Sequence, residues 1–484
     1  MGVDTPRLEY VMAEPDWRRT KAALGGRSAI LQDINLFLPP SPAQRRNSDM
    51  YSIYVNRAMW YGGAARTLDA WVGTLTRKPM AVTVPPRYAN RLDNIDRRGT
   101  DINSFARWIV REVCAFGRFG ILVDVGQGGE NINDPRAVPY LAGYCAHSIK
   151  SWRTRAVDGA AVLDQVVLEE FVDHPHESGF GVVQRTAYRV LELDENGYYR
   201  ARLFVMVDGE PLETETVYPT KDNNVMTYIP FLIVGPSAIS PEIQKAPLQD
   251  VIDANISHYQ TSADFEFSLY WSASPTAVIT GLGPDDMDAY HVGGGALWKL
   301  PQGATASYLE FRGQGLDALS GALEAKQMLM ATLGASVLSA PKREAETAEA
   351  LTIKSNGESA SLISISDTVS KALTQALQYA CDWGRYDGEV SAVLNKDLVN
   401  VRLKSDDLKT LVYMVQAGLL SLDDYFYNLQ QGEILRPGLS IEDAKAQTQM
   451  QAPLIAFDAT ASSVTAPTSP RRRKRGDAPA VAAA

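Results

Sequence analysis

Cysteine is scarce in this sequence, and long apolar runs are missing. The three cysteines, Cys114, Cys145 and Cys381, lie far apart and form no C-x-x-C pair. This usage excludes a disulfide scaffold and a cysteine-ligated zinc ribbon, and it is typical of a reducing cytosol. No apolar run approaches the roughly 20 residues that span a bilayer, and the N-terminus lacks the apolar core of a signal peptide. We therefore expect a soluble, intracellular protein without a membrane anchor.

Sequence motifs for nucleotide chemistry are missing as well. No Gly-Lys pair occurs, so the chain cannot form a P-loop, in which a lysine neutralises phosphates that backbone amides wrap. Gly126 to Gly129 follow a strand-like run, but residues 131–135 cannot open the helix that a dinucleotide site requires. The isolated His147, His258 and His291 are more typical of packed residues than of catalysts. The sequence thus predicts neither a cofactor nor a catalytic residue.

Two clusters contain residue types that bind metals. They are His174 and His176 with Asp173 and Glu177, and separately Asp285, Asp286 and Asp288. We interpret the first as a solvated turn between strands and the second as the capped first turn of a helix. A metal-dependent nuclease or hydrolase at either cluster is the least favoured alternative, so we predict no metal site and no enzyme.

The composition describes a globular chain with an uneven charge distribution. Of 484 residues, 45% are hydrophobic and 21% charged, enough for a large core and two to four domains. The formal charge is −10, but residues 471–484 carry five basic groups and one acid, so the remainder has a net charge of −14. An acidic body argues against gripping nucleic acid everywhere and leaves room for a local basic patch.

Apolar periodicity predicts an α+β fold that begins with helices. Residues 1–50 are expected to be an irregular arm preceded by a short helix, because prolines break the pattern near residue 40. A long amphipathic helix is predicted over 49–76, and a second from Asp101, as N-cap, to Gly117. A buried strand follows at 120–125.

The middle of the chain alternates between a sheet and long helices. Period-two alternation predicts antiparallel strands at 163–171, 182–193, 198–207 and 214–217. Long helices are predicted at 247–273 and 316–338, with a short glycine-rich, strand-like segment at 275–313 between them. This order of helix, small β insert and helix is the most distinctive arrangement in the chain.

The last part of the chain is predicted to be mainly helical. A helix is predicted at 345–383, a short β pair at 388–404, and two helices at 406–435 that are split at Gly418, with Ser421 as the N-cap of the second. Acidic residues around this split disfavour a DNA-binding helix-turn-helix. From residue 437 the chain is rich in Ala, Pro and Ser and is expected to be flexible.

Several segments together point to one family. They are YGGAARTLDAWVG at 61–73, RKP at 77–79, GRFGILVD at 117–124, IKSWR at 149–153, NISHYQTSAD at 255–264, MATLGA at 330–335 and ETA at 346–348. In combination they resemble the portal proteins of tailed bacteriophages, especially a short, prophage-associated portal family. The resemblance covers roughly residues 50–435 and does not extend to either end.

The resemblance implies an architecture of wing, two-helix stem, clip and crown. Its segments would be an N-terminal arm at 1–49, a wing at 50–245 with a return at 350–404, stem helices at 246–274 and 314–338, a clip at 275–313, a tunnel-loop region at 339–349, a crown at 405–460 and a basic tail at 461–484. It implies a dodecameric ring at a capsid vertex of the virion, assembled in the host cytoplasm. Duplex DNA would pass through this ring during packaging and ejection. The implied partners are other copies of the chain, the major capsid protein, the terminase large subunit and tail adaptor proteins.

Two basic segments are the candidate DNA contacts. Lys342 and Arg343 would lie in or near the tunnel loop, although alone they resemble an ordinary exposed loop. The run Arg471, Arg472, Arg473, Lys474 and Arg475 would touch phosphates or act as a solubilising tail. The alternative function is a minor capsid or head-tail connector protein that binds proteins and conducts no DNA.

Overall fold

Helices and sheets alternate along the chain, in keeping with the α+β expectation. The computed structural model describes residues 2–46, 48–126, 138–157, 159–175, 178–222, 224–273, 276–281, 298, 300, 302–309, 315–335, 348–395, 405–431, 434–435 and 441–451. These residues divide into two compact units, Met1–Val399 and Asn400–Ala484.

Fourteen α-helices and fourteen strands lie within the described residues. The helices are α1 Leu8–Gly25, α2 Arg27–Gln32, α3 Ile34–Phe37, α4 Pro42–Arg46, α5 Ser48–Arg57, α6 Gly63–Leu75, α7 Pro86–Ala89, α8 Ile102–Phe116, α9 Gln249–Ser272, α10 Leu316–Ala335, α11 Ala348–Trp383, α12 Ser405–Gln416, α13 Leu422–Gln431 and α14 Ile441–Gln451. The strands are β1 Ala81–Thr83, β2 Phe119–Val125, β3 Pro139–Cys145, β4 Ile149–Val157, β5 Ala160–Pro175, β6 Val182–Leu193, β7 Tyr199–Val207, β8 Glu210–Val217, β9 Thr220–Lys221, β10 Asn224–Val225, β11 Phe231–Val234, β12 Thr276–Thr280, β13 Thr305–Leu309 and β14 Ser391–Val393.

The N-terminal segment is helical, and the prediction of an irregular arm over residues 1–49 is wrong. Helices α1 to α4 occupy most of it, and α1, α2 and α3 contribute buried residues to the main core. Trp17 is 4% exposed, and its indole Nε1 donates to the carbonyl of Phe116 over 3.0 Å. The hydroxyl of Tyr10 donates to the carbonyl of His147 over 3.0 Å. Because these partners lie far away in sequence, local helix propensity does not predict the contacts.

The single helix predicted over 49–76 is two helices. Helix α5 ends at Arg57 and α6 begins at Gly63. Between them, the side-chain amide of Asn255 on α9 accepts from the N–H of Ala64 over 2.9 Å and donates to the carbonyl of Tyr61 over 2.7 Å. The Asn255 side chain therefore stabilises the interruption, because it hydrogen-bonds backbone groups that would pair with each other's neighbours in a continuous helix.

Helix α8 has the ends that the sequence predicts. The carboxylate of Asp101 accepts from the N–H groups of Asn103 and Ser104, over 2.9 and 3.1 Å, and so caps the first turn. The helix ends at Gly117, whose φ of 71° is readily adopted only by glycine. The predicted strand follows as β2, the centre of an antiparallel sheet in the order β11-β2-β3. Helices α8 and α11 pack against this sheet.

Strands β4 to β8 form an antiparallel meander in sequence order, as the alternation predicts. Leu168 and Leu191 of this sheet belong to the main core, whereas the first residues of β6 are exposed. His174 lies in β5 opposite Val183, so the prediction of a turn is wrong for this residue. His176 and Glu177 lie outside the described residues.

The predicted order of helix, β insert and helix is present. Helix α9 begins two residues after Pro247, and β12 pairs antiparallel with β13, with Thr276 opposite Leu309. Helix α10 follows, and its predicted end at residue 338 lies beyond the last described residue, Ala335. Asp285, Asp286 and Asp288 also lie outside the described residues, so their interpretation as a helix cap stays a prediction.

Strand β14 lies in the segment 388–404, for which a short β pair is predicted; residues 396–404 lie outside the described residues, so the second strand of that pair stays a prediction. Strand β14 pairs antiparallel with β1, with Val393 opposite Ala81. The N–H of Ala392 also donates to the hydroxyl of Thr374 on α11 over 3.0 Å. The sequence correctly predicts a strand in this segment, but the described partner of β14 is the strand β1, which lies far away in sequence.

The second unit contains α12, α13 and α14. Gly418 has a φ of 72° between the first two helices, and the hydroxyl of Ser421 accepts from the N–H of Asp424 over 3.0 Å, which confirms the predicted N-cap. Residues 441–451 were expected to be flexible but form α14. Its Ala444 is buried in one apolar cluster with Phe426. The reason is again tertiary, since α14 itself is rich in Gln and Ala.

Candidate assembly surface

The first half of α9 is fixed inside the main core. Besides Asn255, two polar residues of this helix bind backbone groups of the N-terminal helices. The hydroxyl of Ser262 accepts from the N–H of Met59 over 3.1 Å, and the amide of Gln260 donates to the carbonyl of Phe37 over 3.0 Å. These bonds tie α9 to α3 and to the linker between α5 and α6.

Helix α10 returns along α9 after the β12–β13 hairpin and is bound to it by polar contacts. The ammonium of Lys326 donates to the carbonyl of Ser257 over 3.1 Å and to the hydroxyl of Thr261. At the next residue of α10, the amide nitrogen of Gln327 lies 3.1 Å from Nε2 of His258. We call α9 and α10, together with the paired strands β12 and β13 between them in sequence, the helix pair.

His258 is a buried ionisable group of the helix pair. It is 1% exposed, and its ring lies 5.2 Å from the ring of Tyr61. Its Nδ1 has no hydrogen-bond partner among the described residues. Burial, with a smaller contribution from the charge of Lys326, lowers the pKa of His258. The neutral imidazole is thus the form that suits this position.

Helix α10 is apolar and yet lies largely at the surface. Its sequence contains three charged residues, Asp317, Glu324 and Lys326, among leucines, alanines and methionines. Between residues 316 and 334, Met330 and Gly334 are the buried positions. Met328 is 59% exposed and Leu329 48%. A helix of this composition normally buries an apolar face, so part of its packing surface has no partner among the described residues.

The second half of α9 also carries exposed apolar residues. Trp271 and Leu269 are both more than 40% exposed. Phe267 packs edge-on against Tyr54 of α5, with ring centroids 5.5 Å apart, and the guanidinium of Arg57 lies 3.9 Å above the ring of Tyr270. In the hairpin, Tyr308 and Leu309 are also exposed, at 53% and 68%.

The three aspartates of α9 are bound within the subunit. Asp250 pairs with Lys245 over 2.7 Å, and Asp253 with Arg19 over 3.1 Å. The carboxylate of Asp264 accepts from the hydroxyl of Tyr54 over 2.8 Å. The exposed large apolar side chains of the two helices are Met328 and Leu329 on α10 and Leu269 and Trp271 on α9; we call these four residues the stem surface.

None of the predicted DNA contacts can be placed. Lys342 and Arg343 lie outside the described residues, and so does the run Arg471 to Arg475. The stem surface was not predicted as a site from the sequence. The sequence feature that indicates it is the low charge of residues 316–335. Periodicity alone predicts that the apolar stripe of this helix is buried.

The described residues show no metal-binding group and no activated thiol. Within those ranges, no three His, Cys, Asp or Glu side chains stand close enough to hold a metal ion. Burial raises the pKa of each cysteine, Cys114, Cys145 and Cys381, to about 12, so their thiols stay protonated near neutral pH. Among the helices of the described ranges, none combines the length and the apolar character needed to cross a membrane.

Comparison with known proteins gives a family match over the helix pair and two structural likenesses. A family model described as a domain of unknown function, DUF4055, matches residues 247–384, which contain α9, α10 and α11. No curated protein matches the sequence. The chain is similar to a structure described as the neck of an empty GTA particle computed with C6 symmetry, with a TM-score of 0.43 and 14% identity. That likeness covers 79% of this chain and 93% of the other.

A second solved structure is similar to about the same extent. It is described as the neck of a native GTA particle computed with C12 symmetry, with a TM-score of 0.41, 13% identity and coverage of 79% of this chain and 93% of the other. At these scores and identities, neither structure bears on what this chain does.

Proposed function

We propose that this chain is a portal subunit, a structural protein that forms a ring at a capsid vertex and lets duplex DNA pass through its centre. The exposed apolar stem surface is the observation that carries the proposal. The segments that resemble tailed-phage portal proteins support it, and among them NISHYQTSAD and MATLGA lie on α9 and α10.

The stem surface suits contact between copies of the chain. Burying an exposed Leu or Met side chain contributes about 1.5–3 kcal/mol, so four such residues repeated at every contact supply a strong driving force. Met328 and Leu329 lie on α10, and Leu269 and Trp271 on α9. If α10 of one copy packs on α9 of the next, the contact is head-to-tail, and repetition of such a contact forms a ring when the rotation between copies closes.

The charge distribution is compatible with DNA passage. Each phosphate contact strengthens binding, and many together would hold the duplex in place. An acidic body with a net charge of −14 outside the basic tail limits such contacts. No chemical step is required of a channel, so we also propose that the chain is not an enzyme. In this proposal the exposed hairpin strand β13 is where a tail adaptor or the terminase large subunit docks.

Electron microscopy of the purified full-length protein tests the proposal. We expect rings with an open central channel, and we expect the double substitution Met328→Glu with Leu329→Glu to yield monomers. The matched control is Met12→Glu with Leu8→Glu, because these α1 residues are of the same types and also exposed, at 73% and 70%. The control protein should still form rings.

Two results would contradict the proposal. A protein that stays monomeric at high concentration, or forms a ring without an open channel, favours the minor capsid or head-tail connector alternative. Rings that survive in the α10 variant but are absent from the α1 control would show that the stem surface is not the contact between copies.

A further inference from the structure

A basic cleft lies between the end of α6 and the beginning of α8. It consists of two adjoining cavities of about 410 and 200 Å³, which share Thr76, Arg77 and Arg107. The lining side chains include four cations and one carboxylate; they are Arg77, Lys78, Arg107, Arg111 and Asp69. On a chain whose formal charge is −10, this is a local reversal of sign. We propose that the basic cleft binds backbone phosphates of duplex DNA.

The arginines of α8 are held so that they face the cleft. Arg107 and Arg111 are four residues apart and therefore lie on the same face of the helix. Nε of Arg107 donates to the hydroxyl of Thr76 over 3.3 Å, and Nη1 of Arg111 donates to Asp69 over 2.7 Å. Among the described residues, Arg107 makes no other hydrogen bond or ion pair. Both of its Nη groups are thus available to an incoming acceptor.

The chemistry of the lining favours phosphate as the ligand. Guanidinium groups present planar pairs of donors that match phosphate oxygens, and charge-assisted bonds of this kind are about twice as strong as neutral ones. The hydroxyl of Thr76 donates to the carbonyl of Val72 over 2.8 Å and accepts from Arg107, so it positions that guanidinium rather than binding the anion itself. Asp69, the single carboxylate of the lining, is already paired with Arg111, so the Nη groups of Arg107 are left to bind an incoming anion.

The position of the cleft follows from how α6 lies along α10. Gly63, at the start of α6, packs against the sulfur of Met330. Further along, the side chain of Thr67 packs against Gly334, and Trp71 donates to the carbonyl of Gly334. The residue numbers rise together, so the two helices run in the same direction.

Because α6 and α10 run in the same direction, the position of the cleft favours DNA as its ligand over an acidic protein. Thr76 and Arg77 follow Trp71 by more than one turn and so lie beyond Gly334. They lie at the end of α10 from which the chain continues toward Lys342 and Arg343. In the portal proposal, on which this step rests, that end faces the DNA channel. A cation cluster there would contact the duplex backbone without reading its sequence.

The inference can be tested by measuring how tightly the full-length protein binds a short fluorescent DNA duplex. Fluorescence anisotropy gives the affinity over a range of salt concentrations. The variant is Arg107→Gln with Arg111→Gln, and the control is Arg87→Gln with Arg185→Gln, two exposed arginines outside the cleft. We expect the cleft variant to bind about 10 to 100 times more weakly at low salt. The slope of log affinity against log salt should fall in magnitude by about 0.9 for each phosphate that the variant no longer neutralises.

Several outcomes would overturn the inference. They are equal affinity and slope in the variant and the wild type, an equal decrease in the control, or binding of free pyrophosphate or of a polyglutamate peptide with no binding of the duplex. Microscopy of the same samples separates this test from that of the portal. If the cleft variant forms rings but binds DNA more weakly, the result supports DNA binding by the basic cleft. If the wild type forms no rings but binds DNA in a salt-dependent way that the variant loses, the portal proposal is contradicted and the cleft proposal is supported.

Discussion

The indole Nε1 of Trp71 donates a hydrogen bond to the backbone carbonyl of Gly334 over 3.1 Å, which ties α6 to the last described turn of α10. The close approach depends on glycine. A Cβ at position 334 would lie 2.7 Å from Oγ1 and 2.9 Å from Cγ2 of Thr67. The helix pair is therefore held against the core by backbone proximity as well as by side chains.

We expect Gly334→Ala to lower the free energy of unfolding by about 1–3 kcal/mol, because the new methyl group overlaps with Thr67. Alanine is otherwise the better helix former by about 1 kcal/mol. Adding Thr67→Ala should restore stability, since it removes both overlapping atoms. Thermal unfolding at fixed protein concentration measures each variant.

Gly321→Ala in the same helix is the matched control. No heavy atom lies within 4 Å of a Cβ at that position, so we expect unchanged or higher stability by up to about 1 kcal/mol. Equal midpoints for Gly334→Ala and Gly321→Ala would refute the close approach of Gly334 to Thr67.

Asn255→Ala should destabilise the protein by about 1–3 kcal/mol. The substitution leaves the N–H of Ala64 without its buried acceptor, and an unsatisfied buried group costs about that amount. The carbonyl of Tyr61 loses one donor but still accepts from the N–H of Gly63. Gln249→Ala, on the outer part of the same helix, should change stability by less than about 0.5 kcal/mol. A similar decrease in chemical denaturation for both variants would contradict the role of the amide.

The stability of the helix pair should decrease in acid because of His258. Its folded pKa is lowered by burial and by Lys326, so the unfolded state takes up a proton more readily below about pH 6.5. The contribution of His258 is present above that pH and is lost as the pH falls. We expect His258→Gln to weaken the pH dependence of the thermal midpoint between about pH 7 and 5; an unchanged dependence would contradict this account.

The opposite dependence is expected for Glu112. Burial raises its pKa from 4.5 to about 7, with a smaller opposing effect from a hydrogen bond with Cys145. Between these values the folded state keeps a proton that the unfolded state has lost, so stability falls as the pH rises toward about 7. Glu112→Gln should be more stable than the wild type by about 1–3 kcal/mol near pH 8. The two proteins should be equally stable near about pH 4, and a difference that is the same at both pH values would refute the prediction.

Elements whose ends are marked locally were predictable from the sequence. Asp101 and Gly117 delimit α8, Ser421 caps α13, and alternating residues mark the meander, because caps and alternation act over a few residues. The stem surface was not predictable in the same way. Periodicity shows which face of α10 is apolar, but it does not show whether the chain itself covers that face.

The sequence alone determined the succession of helices and strands, the helix pair with its β insert, and the acidic charge of the body. Only the tertiary structure decided that the first 49 residues are helical, that Asn255 separates α5 from α6, and that β14 pairs with β1. It also brought Arg77 together with Arg107 and left Met328 exposed. Local patterns report interactions within a few residues, whereas burial and charge clusters depend on segments that meet from distant parts of the chain.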